Sequence, residues 1–175
     1  YHDGRWRLPQ EVELRAQLQG KRLAEKRWEA RLLDLREMLA SDDAVKARDA
    51  LLAIDDPHAV PALGELLRGD RLRPAKMIYI TTLTKIATQP AVQALVVSSL
   101  ADPDEVVRVA CLDAIEQLDS PGVVGFYIKA LGSENNYHVN RAAYALGRFE
   151  DEAAIGPLIN ALVTTHTFTL KSRPS

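Results

Sequence analysis

Apolar positions recur along this chain with two periods. Inside the third of four similar stretches Cys111, Ala114, Ile115 and Leu118 fall at i, i+3, i+4 and i+7, the spacing of one helical face. Between stretches they return every 31 to 33 residues. One column runs Leu51, Leu83, Ile115 and Leu146, and a second Ile54, Ile86, Leu118 and Phe149. Three more are Val60, Val92, Val123 and Ile155; Leu63, Leu95, Phe126 and Leu158; and Leu67, Leu100, Leu131 and Leu162. Self-similarity at this period marks stacked supersecondary units rather than one globular core.

Each unit reads as two helices joined by a tight turn. In the third, Asp102 is expected to cap the first helix, with Pro103 at its first position and Glu105 three residues after the cap. Ser120 is expected to cap the second helix ahead of Pro121. First helices are placed near 42–54, 74–87, 103–118 and 136–149, and second helices near 57–68, 90–100, 121–131 and 152–163. The units span about 41–69, 70–101, 102–132 and 133–163. Small residues (Ala47, Ala50, Ala110, Ala114, Ala142, Ala145) line the faces where neighbouring helices meet. A two-helix unit cannot bury its stripe alone, so stacking is required. The expected fold is all-α, a right-handed α-solenoid.

Residues 1–8 form an irregular lead-in and 9–40 a charged helical arm. Pro9 begins the arm, and Glu11 and Glu13 load its first turn. Trp28, Leu32, Leu35 and Leu39 follow a 4-3-4 spacing, which is a seam. Leu14 and Leu18 keep its phase, Lys21 and Glu25 occupy its next two positions, and Gly20 is expected to divide the arm into two helices. The arm suits a cap on the first unit, or a dimerising or linking segment. At the other end, Thr164 to Leu170 alternates β-branched residues and reads as an extended strand or tail, with 171–175 disordered. The outer face of the fourth unit then needs cover from the tail, from further sequence or from another molecule, including a second copy.

The units resemble HEAT repeats, specifically the short bacterial type named after phycobilisome lyases. The likeness is carried by His138-Val139-Asn140-Arg141-Ala142-Ala143-Tyr144-Ala145-Leu146-Gly147-Arg148-Phe149 with Ala154 to Ile159, and by Asp102-Pro103-Asp104, Val107-Arg108 and Asp113-Ala114-Ile115. It covers roughly 42–163. It implies about four HEAT-like hairpins and a partner-binding concave face lined by the second helices. Through its name it also admits a bilin lyase-like or lyase-assisting role. The resemblance further implies a polar ladder between units, with Asp104 and Arg108 in the matching positions and Arg141 in the last unit. Leu72, Arg73 and Pro74 stand where the second unit's acid belongs, so the ladder is expected to break there.

Composition narrows the function classes. Lys and Arg total 22 against 24 Asp and Glu, a formal net charge of −2, which disfavours broad nucleic-acid binding. The lone cysteine, Cys111, permits no internal disulfide and reads as a small buried apolar residue. No run of 18 apolar residues suggests a membrane span. The chain begins at Tyr1 rather than Met, which suggests a fragment or processed form. His2, His58, His138 and His166 form no metal-ligand spacing, and His58 is expected to face solvent. No nucleophile elbow, P-loop or dinucleotide fingerprint occurs. The acidic clusters at 42–43, 55–56, 102–105 and 150–152 fall at helix starts, where capping accounts for them. No catalytic residue, cofactor or metal site is expected.

Two surface features remain. Positions four apart on the second helices trace an inner face: Pro61 and Glu65, Gln93 and Val97, Val124 and Ile128, Gly156 and Asn160, with Tyr127 and Tyr137 as aromatic anchors. Arg68, Arg71, Arg73 and Lys76 cluster at the link between the first two units, a candidate anion contact. The expected function is a non-enzymatic scaffold that binds a protein or peptide on this concave face. Bilin-lyase assistance and nucleic-acid binding through the basic cluster are the alternatives.

Overall fold

The computed structural model describes residues 8–162. The expected tail from Thr164 onward, the lead-in up to Arg7, and His2 and His166 lie outside the described residues. Two compact units divide the chain, residues 1–120 and 121–175. The division falls inside the expected third hairpin, between its two helices.

The first unit begins with α1 (Pro9–Met38), followed by α2 (Ala44–Ala53), a 3-10 turn (Pro57–Ala59) and α3 (Val60–Gly69). Then come α4 (Arg73–Ile86), α5 (Gln89–Ala101) and α6 (Glu105–Leu118). α2 packs on α4 and α4 on α6, while α3 packs on α5. First helices thus form one layer and second helices another, the two-layer stack of an α-solenoid. α1 lies across the first hairpin, touching α2, the 3-10 turn and α3.

Repeat-column residues supply much of the core of this unit, while Ile86, Leu100 and Leu118 on the same columns are half-buried. Leu51, Leu83 and Ile115 are buried, as are Val60, Val92, Leu63, Leu95 and Leu67. Lys76, Thr82, Ser98 and Asp102 are buried among them.

α1 runs unbroken through Gly20, against the expected two helices. One glycine costs a helix about 1 kcal/mol relative to alanine, and the flanking Leu, Gln, Lys, Arg and Ala all favour helix. Pro74 opens α4 within its first turn, as the pattern predicts. The third unit's caps shift. Asp104, not Asp102, is the N-cap of α6, accepting from the Val106 N–H at 2.9 Å.

The second unit contains α7 (Val123–Ala130), α8 (Asn136–Phe149), a 3-10 turn (Glu152–Ala154) and α9 (Ile155–Ala161). Gly122, at φ 81°, takes the N-cap of α7 in place of Ser120. α7 packs on α8. Tyr127 is fully buried there, its ring 5.4 Å from that of Phe149. Leu146 and Val139 are buried too, whereas Ile155, Ile159 and Leu162 on and after α9 stay exposed.

α4, α6 and α8 each end on a left-handed residue: Ala87 (φ 53°), Asp119 (φ 41°) and Glu150 (φ 52°). The sharp corner after these three first helices takes a positive φ, a position usually held by glycine, whereas α2 ends on Ile54 in extended conformation.

Candidate functional site

Glu65 and Gln93 are exposed, and Val97 is 43% exposed. All three line one groove of about 310 Å³ between α3 and α5. Pro61, Gly64, Pro90 and Ala94 complete its floor. Small residues let the two helices approach: a Cβ on Gly64 would sit 3.3 Å from that of Ala94. Sequence spacing found Glu65, Gln93 and Val97 because four-residue steps define a helical face.

A second cavity of about 400 Å³ adjoins the first and is lined in part by Pro61 and Glu65 as well. Its other wall is α1, which contributes Leu32 and Leu33 facing Ala62 and Leu66 of α3. Arg22, Lys26, Glu25 and Glu29 set charges of both signs around it. Leu32 lies on the seam expected to cap the first unit, whereas Leu33 lies off it: spacing marks the docking stripe but not the cavity beside it.

Two polar anchors hold α1 in place. Trp28 Nε1 donates to Asp56 Oδ2 at 2.7 Å, and Arg36 Nε donates to Asp70 Oδ2 at 3.2 Å. Asp56 also accepts from the His58 backbone N–H, and its Oδ1 lies 2.8 Å from His58 Nδ1. His58 is therefore half-covered and bonded rather than free in solvent. The backbone N–H of His58, with the Trp28 indole and the His58 ring, holds the Asp56 carboxyl below the usual range. Burial pushes Asp70 upward, but the Leu72 N–H and the Arg36 guanidinium outweigh it and the carboxyl ends below its ordinary value. Tyr79 Oη adds a further donor to Asp70 at 3.2 Å.

Asp70 corrects the expected break in the polar ladder. The second unit has its acid two residues before Leu72, at the end of α3, where Oδ1 also accepts from the Leu72 N–H. Asp102 repeats this role 32 residues later: it follows α5 and accepts from the Asp104 N–H at 2.9 Å. A column read on Asp70 and Asp102 would have found the ladder. Asp104 joins hairpins through Arg73, 2.6 Å away, and not through Arg108. That contact holds Asp104 below the ordinary carboxylate range. Arg108 instead donates to the carbonyls of Asp102 and Pro103.

The basic cluster does converge. Arg68, Arg71, Arg73 and Lys76 line a single cavity of about 270 Å³. Asp70, Asp102 and Asp104 line it too, which changes its chemistry. Lys76 is buried and paired with Asp102, Arg73 with Asp104, and Arg68 with Glu65. The expected anion contact is thus a set of neutralised pairs with Arg71 at its edge. A lysine on the first turn of a helix looks solvent-facing until the neighbouring hairpin end is placed over it.

The remaining inner-face candidates belong to the second unit. Val124 and Ile128 are half-buried and Asn160 is exposed. Tyr127 is core, which removes it as an anchor. Tyr137 is exposed, with the Arg141 guanidinium 5.9 Å from its ring.

Cys111 is fully covered, and burial followed by the nearby Asp102 charge pushes its thiol up to about 12. Among the described residues no three His, Cys, Asp or Glu side chains gather as metal ligands. No helix of the described residues is long and apolar enough to cross a membrane.

A family model of HEAT repeats matches residues 96–173. The match starts within α5 and takes in α6 through α9. No curated protein matches the chain.

Proposed function

We propose that this chain is a non-enzymatic protein- or peptide-binding module of the HEAT-repeat kind. Its binding face is the outward side of α3 and α5, with α1 as side wall. The observation that carries this reading is the pair of adjoining cavities sharing Pro61 and Glu65. HEAT repeats commonly mediate protein–protein interaction. An apolar floor with a rim of both charges suits a polypeptide ligand.

Neighbouring packed helices lie about 8–10 Å apart. A partner filling both cavities would carry two apolar anchors at that spacing. Seven residues of α-helix span ~10.5 Å, and three residues of extended chain about 10 Å. The finer kinship, to the short repeats named after phycobilisome lyases, rests on the 138–149 segment.

The test compares proteins captured from source-cell lysate by the parent chain and by a Val97→Glu variant of equal helicity. A protein held by the parent and lost by the variant supports this face. Equal capture by both would refute it. Tyr144→Glu, at an exposed site of α8 outside the candidate face, serves as the control that should leave capture intact.

A further inference from the structure

The seam of α1 is used over only part of its length. From Glu11 it runs Glu11, Leu14, Leu18, Lys21, Glu25, Trp28, Leu32 and Leu35, in alternating steps of three and four. Leu32 and Leu35 are 0% and 8% exposed against the first hairpin. Leu14 and Leu18, on the same stripe, are 57% and 49% exposed. No side chain from Pro9 to Leu23 is buried. A helical stretch of 15 residues without tertiary packing is marginal in water.

We propose that this open stretch pairs antiparallel with the same stretch of a second copy. The order of residues along the seam selects that partner and that direction. Glu11, Leu14, Leu18 and Lys21 read acid, apolar, apolar, base. A two-fold axis at Ala16 sets Leu14 against Leu18 of the second copy and Glu11 against Lys21 of the second copy, each twice. The same axis sets Val12 against Gly20, where an added Cβ would meet no other group within 4 Å in the single chain. Off the seam it pairs Gln10 with Arg22, Glu13 with Gln19 and Arg15 with Gln17, so no like charges meet. Parallel pairing would set Glu11 on Glu11 and Lys21 on Lys21, which is repulsive. Lys21 is free to turn, since its only ion pair among the described residues is an exposed one to Glu25 at 3.8 Å. The paired stretch spans about 22 Å and the contact is small, so the dimer is weak and forms with rising concentration.

Sedimentation equilibrium of the 175-residue chain, up to about 1 mM so that even a millimolar dimer is populated, tests this. The mass should climb from 19.4 kDa toward twice that value. Leu14→Glu/Leu18→Glu should stay monomeric, with the far-ultraviolet circular dichroism of the parent at concentrations where the parent is also monomeric, because both sites are exposed in the single chain. Glu11→Lys and Lys21→Glu should each weaken association about tenfold, and Glu11→Lys/Lys21→Glu should restore it. A parent chain monomeric throughout overturns the proposal. So does a dimer indifferent to the Leu14/Leu18 change, or a double reversal as weak as either single one.

Discussion

Lys76 and Asp102 close the open end of the second hairpin with a buried ion pair, 2.5 Å between Nζ and Oδ2. Their side chains are 5% and 1% exposed. One lies in the first turn of α4 and the other just past the end of α5, so the contact fastens the two helices where no loop joins them. Removing one partner strands the other charge. Lys76→Met should lower stability in urea unfolding by about 3–5 kcal/mol. Adding Asp102→Asn should recover part of that loss, because an amide can still accept from the Asp104 N–H without a stranded charge. A double variant as unstable as the sum of two large single losses would rule out this account.

The docking of α1 should respond to acid. Asp56 and Asp70 both ionise below their ordinary value when folded. Their contribution is complete above the unfolded carboxylate value of about 3.9 and fades as pH falls through the lower folded values. With Trp6→Phe to leave one indole, Trp28 emission should stay constant from neutral pH to about 4 and shift only below it. Trp28→Phe, which removes the donor to Asp56, should cost about 1 kcal/mol. A shift centred near pH 6 would point to a different group.

The three left-handed corners are strained by their side chains. Ala87→Gly removes a Cβ penalty of about 1–2 kcal/mol and adds some unfolded-chain entropy. The net expectation is a gain of about 0.5–1 kcal/mol, read as a rise in Tm. A fall in Tm would mean that the Ala87 methyl contributes more by packing than it costs in conformation.

Cys111 should behave as an inert residue until the fold opens. Buried, with its thiol pushed up to about 12, it should react with a disulfide reagent at neutral pH only in molecules that have opened. Mild urea should then accelerate the reaction in step with the unfolded fraction. Immediate stoichiometric reaction in buffer would show the site to be open.

The sequence pattern and the structure agree where apolar periodicity alone decides. Leu51, Leu83, Ile115 and Leu146 fall on one column and are all buried, because a repeated stripe has one face to hide. Glu65, Gln93 and Val97 were legible for the converse reason: they fall on the face each second helix keeps open. Lys76 and Tyr127 were not. A buried lysine depends on an aspartate 26 residues away, and a buried tyrosine on Phe149 of the neighbouring helix, and neither leaves a local trace. Asp70 escaped notice because it lies two positions from the expected ladder site, within a turn whose backbone N–H it also holds. The docking site of α1 depends on Trp28 and Arg36 reaching carboxylates 28 and 34 residues on.

The Gly64–Ala94 approach constrains how this surface can evolve. The two residues set both the spacing of α3 and α5 and the depth of the groove between them. A larger residue at position 64 would fill the groove and force the helices apart at once, at a cost of about 1–3 kcal/mol. Changes of partner are thus channelled toward the rim, to Glu65, Gln93 and Val97, where a substitution alters what is recognised without disturbing the stack. Lineages that diverge in ligand should keep glycine and alanine at 64 and 94 while those three positions drift.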